Sequence, residues 1–181
     1  MNRSFFASNA FKEASRKVLI YGCAVFILVI MQCTVFARLS LFGATPDLVL
    51  AATLTVAIRD GEKTGAVFSI AAGFLSCAIG GMNTYIYILF SFACGYTAAI
   101  LSERVLSKNY PSFMAYAGVA FAAKAVFNII ESALRAENFR LLSTLSHAVI
   151  PEFFCSLIFC TPVYFVFCGI CSRFSKKSKF V

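Results

Sequence analysis

Residues 18–37 (VLIYGCAVFILVIMQCTVFA) run 20 positions without a formal charge. A helix rising ~1.5 Å per residue crosses the ~30 Å hydrocarbon layer of a bilayer in about 20 residues, so this segment has the length and character of a membrane span. Further apolar stretches follow at 46–60, 64–80, 82–101, 111–134 and 145–171, parted by short charged punctuation. Composition agrees with lipid as the solvent: 60% of residues are hydrophobic, only 13% are charged, and mean hydropathy is +0.84. A water-soluble domain carries nearer a quarter charged residues. The basic segment 1–17 and the basic tail 172–181 flank a bundle at 18–171, and neither is long enough to bury a core of its own. The expected fold class is an all-α integral membrane protein, a six-transmembrane-helix bundle.

The doubtful span is 46–60, because its apolar part covers 13 residues, or about 20 Å of helix. Either the helix continues into Arg59-Asp60-Gly61-Glu62-Lys63, or the segment is re-entrant. Charge separates the two. Six spans starting inside leave twelve Lys and Arg residues inside and three (Arg38, Arg135, Arg140) outside; five spans leave six inside and nine outside. The positive-inside bias favours six spans with both termini cytoplasmic. A basic stretch before residue 18 also suits a signal peptide. The apolar run, however, exceeds the about 7–15 residues of such a core, and no small-x-small site precedes Arg38, so an uncleaved first span is expected. The net charge of +8 sits mainly at the two ends. Basic residues flanking a span hold a helix end at the cytoplasmic face and meet lipid headgroups, so no nucleic-acid partner is expected.

Local signals fit this partition. Pro46 and Pro111 stand where a first helical turn accepts proline, and Asp47 puts a carboxylate on the positive end of its helix. Pro151 and Pro162 fall inside the last span, which is expected to kink or break there. All eight cysteines lie in or beside apolar stretches, where thiols act as small hydrophobes. Cys168 and Cys171 form a CxxC, but at a helix C-terminus the dipole opposes the thiolate, so packing is their expected role.

Two patterns carry information about sites. Small residues recur every four positions at Gly65, Ser69, Gly73, Cys77 and Gly81, and again at Ser91, Gly95 and Ala99. Such a face lets backbones approach closely, either inside the bundle or against a partner. Lys124, Asn128, Glu131 and Arg135 line one face of the fifth span. An ionised side chain near the bilayer midplane costs several kcal/mol unless paired or hydrated, so this stripe faces the interior, a wet cavity or a partner. Gln32 and Glu152 share its outer half. Together Gln32, Lys124, Asn128, Glu131 and Glu152 make a polar cluster opening outward, working as a partner site or pocket, or serving as a structural network.

Nothing assembles into catalytic machinery. His147 is the sole histidine, no metal-ligand spacing occurs, and no Gly-rich phosphate loop follows a strand. The chain is expected to be no enzyme and to hold no cofactor or metal.

In order and spacing these features resemble the rod shape-determining MreD family of bacterial membrane proteins, over nearly the whole chain. The resemblance rests on Gln32, Pro46-Asp47, a charged turn with Gly61, Gly65, Gly73-Phe74, Gly81-Met82-Asn83, Gly95-Tyr96, Pro151-Glu152, Thr161-Pro162-Val163-Tyr164 and the basic tail. The chain departs from the family after Gly73-Phe74, where Cys77, Ala78 and Gly81 replace a Gly-Leu and an acidic residue. The resemblance implies a non-enzymatic part of the cell-elongation machinery in the bacterial cytoplasmic membrane. Its implied partners are an MreC-like scaffold, an MreB-like filament and peptidoglycan synthases, with self-association left open. The implied fold looks like the substrate-binding subunits of energy-coupling-factor vitamin transporters, which supply the rival reading. Those subunits dock through Ala-x-x-x-Ala on the first span; here Leu28 follows Ala24 at that spacing.

Overall fold

The computed structural model describes residues 3–39, 45–80, 86–104, 109–135 and 149–178, with side chains over 15–38, 45–80, 86–104, 109–130 and 149–172. Helix α1 (Arg3–Met31) passes through a π-helical turn at Gln32–Phe36 into a short α2 (Ala37–Leu39). Then come α3 (Leu48–Asp60), α4 (Glu62–Gly80), α5 (Ile86–Arg104), α6 (Tyr110–Arg135) and α7 (Ile150–Ser178). No strand occurs among the described residues. Five stretches, Ser15–Phe36, Glu62–Gly80, Ile86–Arg104, Tyr110–Ile130 and Ile150–Ser172, are helical, long and apolar enough to cross a membrane. The protein is an all-helical, multi-pass membrane protein.

Helix α3 differs in kind from the others. Its 13 residues reach only about 20 Å, too short to cross alone, so the expected sixth span is not a full-length helix. Every side chain from Leu48 to Ile58 is buried. A helix apolar on all sides has no face to give to solvent and belongs at a centre. Accordingly α1, α4, α5, α6 and α7 all pack around it. It stops at Gly61, whose φ of +85° suits a residue without Cβ and whose N–H bonds the Ala57 carbonyl at 3.2 Å. Helix α4 begins at the next residue.

Pairings along the helices fix their directions. Tyr21 of α1 donates to Asp60 at the end of α3, while Gln32 meets Leu48 at its start, so α1 and α3 are antiparallel. Glu103, late in α5, accepts from the Glu62 amide at the start of α4. Arg59 bonds Tyr164, Tyr110 bonds Thr161 and Tyr21 bonds Cys171. The Lys17–Tyr21 part of α1, the end of α3, the start of α4, the end of α5, the start of α6 and the later part of α7 therefore gather at one end of the bundle.

Several expected boundaries move. Helix α1 begins at Arg3 and α7 extends to Ser178, so the flanking basic segments are largely continuations of the end helices. Pro151 lies in the first turn of α7, where its missing N–H leaves no gap, and the helix carries on through Pro162 without breaking. All eight cysteines are free thiols, and the Sγ of buried Cys171 lies 3.2 Å from the Tyr21 hydroxyl.

The outer flanks are apolar, as lipid requires: Phe26 and Ile27 on α1, Val67 and Phe74 on α4, Leu89 on α5, Val119 on α6 and Phe165 on α7 are exposed. Small residues are spent inside. A Cβ on Gly65 would stand 2.7 Å from Ala57 Cα, one on Gly73 3.2 Å from Ile88 Cα, and one on Gly95 2.8 Å from Ser69 Cβ. The faces formed by Gly65, Ser69 and Gly73 on α4 and by Ser91, Gly95 and Ala99 on α5 thus press against each other and, at Gly65, against α3. Residues 81–83 lie outside the described residues.

A candidate functional site: the buried ion cluster at the head of α3

A helix that starts inside a protein, away from water, presents N–H groups that nothing within the helix can satisfy. At the head of α3 each of these has a side-chain partner. The Asp47 amide donates to Ser156 Oγ at 3.0 Å. The amides of Leu48 and Val49 share Gln32 Oε1, at 3.0 and 3.3 Å. Asp47 caps the turn itself, its Oδ1 accepting from the Leu50 amide at 3.0 Å. Pro46, fully buried beside it, brings no N–H to satisfy.

The other carboxylate oxygen of Asp47 carries the charge chemistry. Oδ2 lies 2.6 Å from Lys124 Nζ and accepts from the Tyr87 hydroxyl at 2.7 Å. Lys124, on α6 and only 4% exposed, reaches on to Glu152 Oε1 at 2.7 Å. Asn128, one turn along the same face of α6, donates to Glu152 Oε2 at 3.1 Å. The ammonium also stands 5.7 Å from the centre of the Tyr87 ring. One cation is thus clamped between two carboxylates that sit at the N-termini of two different helices, α3 and α7, where the macrodipole favours negative charge. The space left beside Lys124, between Phe121, Asn128, Glu152 and Ser156, is about 10 Å³. That is room for one water and no more.

Of the expected cluster, Gln32, Lys124, Asn128 and Glu152 come together as one network. The side chain of Glu131 lies outside the described residues, as do Arg135's side chain and His147. Three members were missed. Asp47 already had a local explanation as a helix-start carboxylate, yet a buried lysine needs a counter-ion, and Asp47 is an acid at the end of an apolar stretch. Ser156 could have been found from its spacing of four after Glu152, on the same face of α7. Tyr87 had no signal, since a tyrosine in an apolar helix fits lipid as well as a core.

A second polar group lies at the opposite end of α3. Lys17 pairs with Asp60 at 2.8 Å, Tyr21 donates to the same carboxylate, and Arg59 Nη2 donates to the Tyr164 hydroxyl at 2.7 Å. Both ends of the central helix are therefore tied to α1 and α7. No group of three or more metal-ligating side chains occurs among the described residues. Comparison with protein-family models, with curated proteins and with solved structures finds no match to this chain.

Proposed function

We propose that this chain is a non-enzymatic membrane component of the bacterial cell-elongation machinery, acting as a docking platform for an MreC-like scaffold, an MreB-like filament and peptidoglycan synthases. One observation carries the reading. Gln32, Pro46-Asp47 and Pro151-Glu152, three of the sequence features through which the chain resembles MreD proteins, are far apart in the chain yet meet at a single buried cluster. Shared features that converge on the joint of a fold are what a family would keep for architecture. The tightness of the charged centre agrees: with about 10 Å³ free beside Lys124, that centre ties helices together.

In this reading the chain crosses the bacterial cytoplasmic membrane six times. The sixth crossing is the one that contains α3. Both termini are cytoplasmic, so that Lys17, Arg59 and Arg104 meet anionic lipid or filament. The apolar flanks of the outer helices receive the spans of the scaffold and synthases. Depleting the protein in a rod-shaped host rounds the cells, and photo-crosslinkers on exposed α4 or α5 positions such as Val67 and Leu89 capture the scaffold. Rods of unchanged shape after depletion would defeat the proposal.

A further inference from the structure

We infer that the chain holds a second site, a pocket for a small neutral hydrogen-bonding molecule, between the π-helical turn of α1, the end of α4 and the start of α5. A half-open cavity of about 190 Å³ lies there, lined among the described residues by Val29, Cys33, Ala37 and Gly80 on its apolar side and by Gln32, Thr45, Ser76 and Tyr87 on its polar side. This is about nineteen times the space left beside Lys124. A cavity of ~150 Å³ accommodates benzene, so the volume suits an aromatic ring with one polar substituent, or about six waters.

Its polar wall is unfinished. Ser76 is 7% exposed and its Oγ has no hydrogen-bond partner among the described residues. A hydroxyl buried without a partner costs about 1–3 kcal/mol, so such a group usually signals a missing neighbour. Gln32 is oriented toward the same space for a separate reason: its Oε1 is held by the amides of Leu48 and Val49. Gln32 itself is half-buried. The backbone forming this wall is the Gln32–Phe36 turn, a π-helical insertion of the kind that recurs at functional sites.

The charge nearby sets the ligand class. Asp47, whose Oδ2 holds the Tyr87 hydroxyl, and Glu152 are two acids against the single Lys124, so an anion is disfavoured. An apolar molecule would leave Ser76 unpaired. A neutral carboxamide or lactam of about ten non-hydrogen atoms accepts from Gln32 and pairs with Ser76 while its ring packs on Val29 and Gly80.

The experiment uses the full chain in lipid nanodiscs with three probes of similar size: benzamide, ethylbenzene and benzoate, followed by ligand-observed NMR. Benzamide binds saturably, one per chain, and at least about ten-fold more tightly than either of the others, a ratio set by the hydrogen bonds that only it can make. Ser76→Leu, which fills the cavity, abolishes binding, and Ser76→Ala, which keeps the space and removes the hydroxyl, weakens it about five-fold. Thermal unfolding of both variants reports folding; should Ser76→Leu not fold, Ser76→Ala alone decides. Absence of saturable benzamide binding means water only and overturns the proposal. So does binding that Ser76→Ala leaves unchanged, or ethylbenzene binding as tightly as benzamide. Cell shape is a separate readout, so failure here leaves the elongation reading standing, and the reverse.

Discussion

Lys124 is the residue on which the interior is balanced, and its neighbours set the cost of changing it. Lys124→Met keeps length and volume but leaves buried Asp47 and part-buried Glu152 facing each other without a cation. Removing one partner of a buried ionic group typically costs about 3–5 kcal/mol, whereas replacing the whole group by neutral residues of similar shape is often harmless. The single variant is therefore expected to lose several degrees of thermal stability in detergent, more than any lipid-facing substitution. The triple variant Asp47→Asn, Lys124→Met, Glu152→Gln should recover most of that loss. Strong non-additivity of this kind is the mark of a shared network. If the triple variant unfolded at the sum of the single losses, the three groups would not be one unit.

At the scale of the elements, α3 and the α4–α5 hairpin make opposite demands. Helix α3 needs partners for its first amides, so Gln32→Leu, which strips the acceptor from two of them, should cost about 2–4 kcal/mol. Gln32→Glu retains an acceptor there and should cost less, and the difference between the two unfolding midpoints measures the cap. The α4–α5 hairpin needs absence of bulk. A Cβ on Gly95 would fall 1.8 Å from Ser69 Oγ, so Gly95→Ala should destabilise the hairpin by about 1–3 kcal/mol and Ser69→Gly should restore much of it. Gly118, with nothing within 4 Å of its missing Cβ, is the control: Gly118→Ala should be neutral or raise stability by up to about 1 kcal/mol. These elements differ in how readable they were. The small-residue spacing and the long apolar runs named α4 and α5 directly, because lipid imposes both length and composition. Helix α3 was visible only as a stretch that is too short. A helix buried on every side has no amphipathic period, so its central position cannot be read from its own residues. The site followed the same logic: Lys124 and Asn128 announced themselves by charge in an apolar span, whereas Asp47 and Tyr87 belong to it only through contacts between distant segments.

For the whole molecule the open quantity is how often the chain crosses, and the helix directions bear on it. Tyr21 and Asp60 meet at one end of the bundle, and Gln32 and Leu48 meet further along, so α3 brings the chain back toward the end where α1 entered. Without that return, Lys17 and Arg59 would lie on opposite faces; instead the Lys17 ammonium is 2.8 Å from Asp60, next in sequence to Arg59. The later helices keep the alternation: Glu103 comes back to Glu62, and Cys171 comes back to Tyr21. In the reading proposed above, the short buried helix counts as a crossing beside the five long ones. The prediction is that reporters fused to the two termini fall on the same side of the membrane, and that a reporter inserted between α5 and α6 joins them there. In the proposed reading the positive-inside bias assigns that side to the cytoplasm. Lys17→Ala should leave this arrangement intact, because the bias is spread over many basic residues. Termini on opposite sides would mean that α3 does not return the chain, and the contact of Tyr21 with Asp60 could not then exist in the membrane.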